Sequence, residues 1–318
     1  MMFRKHQPPA DDPMRDLPLV KAPESVWASI EAALNAGEQP RAARALGFRW
    51  WQPAVAFLVI LIAAAVYWTS TRFNRRWEVV RLEGAPSIGL QRLGGTGLIA
   101  EGQWLETDGS SKAEIRVGAI GTVQVDANSR VRLVAARSAE HRLALARGRI
   151  RASVTAPPRL FFVDTSSSTA VDLGCAYTMD VDDAGNGQMH VTLGWVSLEW
   201  HGIESLVPAG ASCRTRARLG PGAPFFDDAA DSFKQALNEI DSGMRGTDAL
   251  ETVLRSARVR DTLTLWHLLL RVEAGDRRRV YDRMVALMPL PSGVSPDKAL
   301  QLDRETLKHW REELAWKW

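Results

Sequence analysis

Two cysteines, Cys175 and Cys213, and six histidines are the side chains with the most to offer chemically in this 318-residue chain. His141, His190, His201, His267 and His309 are scattered, without an H-E-x-x-H pair on one helix, and His6 has no cysteine near it. No metal site is expected from such a pattern, and two thiols cannot build a zinc cluster on sulfur. His309 and Glu313 stand at i, i+4, which reads as a solvated helix contact. Gly94-Gly95-Thr96-Gly97 lacks the lysine and following helix of a phosphate loop, so it reads as a plain loop. There is no G-x-S-x-G elbow and no dinucleotide fingerprint. The acidic turn Asp180 to Asp183 lacks the ligand spacing of an EF-hand. Neither cysteine has a sequence-local base to activate it as a nucleophile. The chain therefore reads as a non-enzyme, with no catalytic residue, cofactor or metal.

Charge narrows the partners. Lys+Arg and Asp+Glu number 40 and 37, a net charge of +3. Residues 1–52 carry seven basic and six acidic side chains, 69–227 eighteen and sixteen, and 228–318 fifteen of each. No region is a basic slab, so nucleic acid is not an expected partner.

The elements that would position anything else begin with an apolar run. Pro53 to Trp68 reads PAVAFLVILIAAAVYW, and Trp50, Trp51 and Gln52 extend it to nineteen residues. As a helix that is about 28 Å, against a hydrocarbon core of about 30 Å. Aromatic residues at both ends fit the headgroup level. A transmembrane helix over 50–68 is expected. Arginines before and after the run number three and four, so flanking charge does not set its orientation. Ahead of it, residues 1–49 form a short polar segment with five early prolines. One amphipathic helix is readable there, with Ser25 as N-cap and Trp27, Ile30 and Leu34 on one face. Such a short helix is marginal alone in water, so these three residues are candidate partner contacts, or else a frayed helix without a partner.

After Trp77 the pattern turns to short period-two alternations. Ala113–Val117, Val123–Val125, Val131–Leu133, Leu143–Ala146, Ile150–Val154, Leu160–Val163, Met179–Val181, Met189–Leu193, Val196–Trp200 and Ser205–Val207 all alternate, with turn signals between them. Spacings of this kind predict an all-β domain over 78–220; a sandwich, a barrel and a β-solenoid all satisfy it.

The segment LALARGRIRASV followed by LFFVDTSSSTAVDLGCAYTMDVDDAGNGQMHVTLGWVSLE resembles the core of the FecR-like domain family. A strand ends at Gly148, Val163-Asp164-Thr165 supplies a V-x-T strand, and Gly174-Cys175 stands before Tyr177 where the family has Gly-Thr. A V-x-x-G-x-V hairpin around Gly194 closes the unit. Upstream, EGQWLETDGSSKAEIRVGAIGTVQVDANSRVRLV is similar to the family's opening. The resemblance spans roughly 98–210. Gly174, Gly187 and Gly194 read as turn or close-approach positions.

That resemblance implies an inner-membrane protein with one span, a cytoplasmic N-terminus and its C-terminal domains in the periplasm. It also implies relay of an envelope signal to a cytoplasmic sigma or anti-sigma regulator. The stretch PESVWASIEAAL resembles the linker helix of membrane anti-sigma factors, although their His/Cys zinc motif is absent. An oxidising compartment would invite a Cys175–Cys213 disulfide closing 37 intervening residues, worth about 4 kcal/mol. Two free buried thiols are the alternative.

From Asp227 helix periodicity takes over. Leu250, Val253, Leu254 and Ala257 form one stripe, Leu263, Trp266 and Leu270 another, and Val280, Met284, Leu287 and Met288 a third. Asp261 reads as a cap, and Ser295-Pro296 starts a last helix through Leu300, Leu307, Trp310 and Leu314. An α-helical bundle over 227–318 is expected, its Trp-rich stripes a core or a protein-docking face. In sum the sequence reads as a multidomain membrane protein: one transmembrane helix, an all-β FecR-like domain and a C-terminal helical bundle. Its expected partners are the membrane and other proteins. The functional expectation is non-catalytic relay of an envelope signal, with a static scaffold or glycan- or protein-binding module as the alternative.

Overall fold

The structure is a computed structural model that describes residues 24–35, 57–62, 76–243 and 247–318. From residue 76 the described chain falls within one compact unit. It is built from two largely antiparallel sheets that share one strand. The first sheet runs, in spatial order, Thr96–Ala100, Arg76–Glu83, Lys112–Val117, Gly121–Val125, residues 148–154, Ala176–Val181, Gly187–Leu193 and Ala211–Arg216. The second runs Ser87–Ile88, Trp104–Glu106, Arg130–Arg137, residues 140–147, Phe161–Asp164, Thr169–Asp172, Trp195–Trp200 and Ile203–Pro208. Only Phe161–Asp164 against residues 141–144 is parallel.

The shared strand is Glu140–Val154, fifteen residues long. Alternation in the sequence splits it into two strands around Gly148; the chain instead keeps going and passes from one sheet to the other there. Gly148 has φ +91°, and a Cβ on it would lie 2.2 Å from Ser129 Oγ. Only glycine lets the strand turn that tightly against its neighbour.

Alternation along the strands sends one set of side chains inward. Val79, Ile115, Leu133, Leu143, Ile150, Phe161, Val163, Met179, Val191 and Leu198 are all fully buried in a single core fed by both sheets. Each such side chain contributes roughly 1.5–3 kcal/mol by leaving water.

Helices follow: Asp231–Asp241, Thr247–Ser256, Thr262–Leu269, Ala274–Leu287, Pro296–Leu300 and Arg304–Ala315. The expected last helix is two, because Leu302 has φ +59° and Asp303 caps a new start by accepting from Thr306 N at 3.0 Å. Asp261 stands at the expected N-cap position of Thr262–Leu269, but its carboxylate makes no cap bond there and instead binds the Arg258 guanidinium at 2.8 Å.

The expected architecture needs two corrections. Among the described residues no helix is long and apolar enough to cross a membrane. The described part of the apolar run, residues 57–62, is helical. The single transmembrane helix is therefore overturned as part of the fold, and the rest of 50–68 lies outside the described residues. The helices, second, do not form a self-contained bundle, although most of their buried residues make one cluster. Leu263 is buried in the core of the sheets, and the helical cluster takes in Ala223 and Phe225 from the strand region. Polar bonds cross the same seam. Arg271 donates to Pro221 O at 3.1 Å, to Glu204 O at 3.1 Å and to Ser205 Oγ at 2.6 Å. His267 Nε2 accepts from Leu206 N at 3.0 Å, satisfying a strand N–H that has no strand beside it.

Candidate functional site

The outward face of the second sheet carries two rows of side chains set by strand register. One row is Trp104, Arg132, Ala144, Asp164, Thr169, Glu199 and Glu204, each opposite the next on the adjoining strand. The neighbouring row is Arg142, Phe162, Val171, Ser197 and Leu206. These are the halves of the alternations that point away from the core, mixing polar side chains with Trp104, Phe162 and Leu206, while Val171 and Ser197 are themselves buried.

A groove of about 660 Å³ lies over this face, with Phe162, Thr169 and Val171 along it and Arg142, Arg159 and Trp200 at its sides. Its charged walls are braced. Arg142 Nη1 donates to Asp164 Oδ1 at 2.6 Å and its Nε to Glu140 Oε1 at 2.8 Å, while its guanidinium carbon sits 4.4 Å from the centre of the Phe162 ring. Arg159 Nη1 donates to Glu199 Oε1 at 2.9 Å, and that hydrogen bond holds the Arg159 guanidinium above its ordinary pKa. Thr169 Oγ1 donates to Asp164 Oδ1 at 2.9 Å, and Ser197 Oγ to Glu204 Oε1 at 3.0 Å. At the rim a two-residue turn, His201 at φ +45° and Gly202 at φ +84°, joins the last two strands. It sets the Trp200 and His201 rings edge to face with centroids 4.6 Å apart. Aromatic rings and arginines held rigid in a shallow groove are the composition of a protein-recognition surface rather than of a reaction centre.

One constellation resembles chemistry more closely. His190 and Ser212 face each other across two strands, and both reach Asp227. Ser212 Oγ donates to Asp227 Oδ1 at 2.5 Å, and His190 Nδ1 lies 2.8 Å from Asp227 Oδ2. A hydrolytic triad needs the imidazole between hydroxyl and carboxylate, so that the base takes the serine proton. Here His190 Nδ1 faces both partners, 2.8 Å from the carboxylate and 3.4 Å from Ser212 Oγ, and the buried serine commits its proton to the carboxylate rather than to the ring. The cluster braces the chain entering the helices; it does not activate a nucleophile. Sequence reading passes over it because the three residues are 37 positions apart at the extremes, and only register brings them together.

The expected site residues fall as follows. Trp27, Ile30 and Leu34 lie on helix Glu24–Asn35, but their side chains are outside the described residues. Ser25, expected to cap, is the second residue inside that helix. Cys175 and Cys213 are both free and buried, which corrects the expected disulfide. Cys213 stands opposite Met189, and Met189 opposite Met179, four residues from Cys175. Two strand spacings and four residues of rise put the two cysteines roughly 16 Å apart, far beyond the 7 Å or so a bridge allows. Each thiol has other company. Cys175 Sγ donates to Asp172 Oδ2 at 2.7 Å, and Cys213 Sγ to Gly222 O at 3.2 Å. Burial pushes the Cys213 thiol up to about 12 and raises Cys175 still further, so neither is a ready thiolate. Burial also raises the carboxyl of Asp172, against the hydrogen bonds it accepts from Cys175 and Gly174.

Among the described residues no group of three or more His, Cys, Asp or Glu could hold a metal ion. The acidic turn shows why: Asp180 pairs with Arg149, Asp183 with Arg147, and Asp182 accepts from Asn186 N at 2.8 Å.

Residues 103–197 match the family model described as FecR protein. The FecR model thus covers just under a third of the chain. Its match starts beside Trp104 and ends at Ser197, so it takes in five of the groove's eleven lining residues, Arg142, Arg159, Phe162, Thr169 and Val171, while the rim from Glu199 to Glu204 lies beyond it. The expected glycine roles also hold in the FecR domain: Gly194 has φ +73°, and a Cβ there would lie 2.3 Å from Gly174 O. Two solved structures of a protein from Parabacteroides distasonis ATCC 8503, described as a candidate anti-sigma factor, are similar at 13% identity and a TM-score of 0.35. The similarity covers 43% of this chain, which spans 64% of the length of those structures. No curated protein matches the chain.

Proposed function

We propose that this chain is a non-catalytic regulatory protein whose FecR domain receives a protein signal in the groove of its second sheet and passes it to a sigma factor or anti-sigma subunit. The observation that carries this reading is the coincidence of the FecR match with the strands that build the grooved, arginine- and aromatic-lined face. The family's regulatory character supports the class of function; the braced Arg142–Asp164 and Arg159–Glu199 pairs support a preformed docking surface. On this reading the helix Glu24–Asn35, through Trp27, Ile30 and Leu34, engages the regulator.

The proposal further assigns the chain to the cell envelope in association with the inner membrane. Six consecutive exposed apolar residues, Phe57 to Ile62, support membrane association. Deleting residues 1–45 and reading sigma-dependent transcription tests the relay. Loss of output is expected; unchanged output with altered envelope integrity would favour a static scaffold instead. Fractionation of the full chain, with protease added to spheroplasts, tests the placement.

A further inference from the structure

Against the first sheet, helix Asp231–Asp241 leaves a second groove, of about 440 Å³ and outside the face assigned to signalling. Gln188 and Arg214 stand opposite each other on the sheet side. Lys234, Gln235 and Asn238 line the helix side, and Asp227 closes one end. We propose that this groove binds a neutral saccharide.

The lining excludes the other ligand classes in turn. Arg214 and Lys234 are balanced by Asp227 and Asp231, so an anion would meet two carboxylates and a cation two positive groups. Those charges are also engaged: Lys234 Nζ lies 2.9 Å from Asp231 Oδ1, and Asp227 holds Ser212 and His190. An apolar ligand would find only Phe225, which is 3% exposed and covered by the Arg214 guanidinium 4.8 Å above its ring. An extended peptide would want a free strand edge. Both strands here are paired on each side, Gly187–Leu193 with Ala176–Val181 and Ala211–Arg216, and the latter also with Gly220–Pro221 and Phe225–Phe226.

What remains is a ligand whose groups each donate and accept. Sugar hydroxyls do both, and the groove mixes amides, carboxylates and cationic donors within one small volume. The polar groups are held in place beforehand. Arg214 Nη1 donates to Lys234 O at 3.2 Å, and Asn238 Oδ1 accepts from Arg216 Nη2 at 2.7 Å, which leaves the Asn238 amino group to donate. The volume lies within the range of ordinary small-molecule sites.

Saturation-transfer NMR on the full chain tests this, with maltotriose and triacetylchitotriose as saccharide probes and a short glutamate-rich peptide beside them. Saturation of at least one saccharide at millimolar concentration is expected. It should fall at least fivefold in Gln188→Ala and in Gln235→Ala, both exposed positions whose loss leaves the urea midpoint unchanged. No transfer to either saccharide at about 10 mM, equal transfer in both variants, or transfer to the peptide alone would each overturn the assignment.

Discussion

Asp172 is a carboxyl buried in the FecR core with a thiol as one of its donors. Cys175 Sγ reaches Oδ2 at 2.7 Å and Gly174 N reaches Oδ1 at 2.6 Å. Removing the thiol leaves a buried acceptor short of a partner, which costs about 1–3 kcal/mol. Cys175→Ala should therefore lower stability by that amount in urea denaturation, whereas Cys175→Ser, which keeps a donor, should recover most of it. His267 gives a residue-scale test in pH. Its Nδ1–H donates to Leu263 O at 2.8 Å while Nε2 accepts from Leu206 N, an arrangement open only to the neutral ring. Burial lowers its folded pKa from 6.5 to about 3. The folded state thus resists protonation more than the unfolded chain does. Stability from this group is complete above pH 6.5 and is lost as pH falls toward 3, at up to roughly 1.4 kcal/mol per pH unit. Asp241 works oppositely, since burial lifts it from 3.8 to about 6, and its contribution fades as pH rises through 6. Urea midpoints measured between pH 4 and 7 should fall less steeply with acidification in His267→Gln than in the parent chain.

At the scale of elements, the long strand Glu140–Val154 does the most to organise the molecule, because it belongs to both sheets. Its passage rests on Gly148. Alanine there would face both a φ of +91° and the Ser129 side chain 2.2 Å away, so Gly148→Ala should destabilise the chain by about 1–3 kcal/mol in thermal or urea unfolding. The strands at Lys112–Val117 and Gly187–Leu193 were legible because one face is buried and the other wet, which is what period-two alternation records. The short strands Ser87–Ile88 and Gln91–Arg92 were not, since two residues cannot show a period. The break at Leu302 was hidden because its left-handed backbone falls on a residue type that seldom takes it. The grooved face was legible only in its parts. Arg142, Phe162, Glu199 and Trp200 sit on readable strands, but register, not spacing along the chain, makes them neighbours.

The whole molecule, from residue 76 onward, is one unit in which the helices close the edge of the second sheet and the first sheet's end. The regulatory account stands or falls on the groove of the second sheet. The most direct measurement is sigma-dependent reporter output in cells making the full chain at equal protein level, with Arg159→Glu and Trp200→Ala in the groove and Thr178→Ala on the opposite sheet as control. The account expects the two groove variants to lose most of the signal-dependent output and the control to keep it. Full output from both groove variants, with the chain folded and present at parental levels, would contradict it.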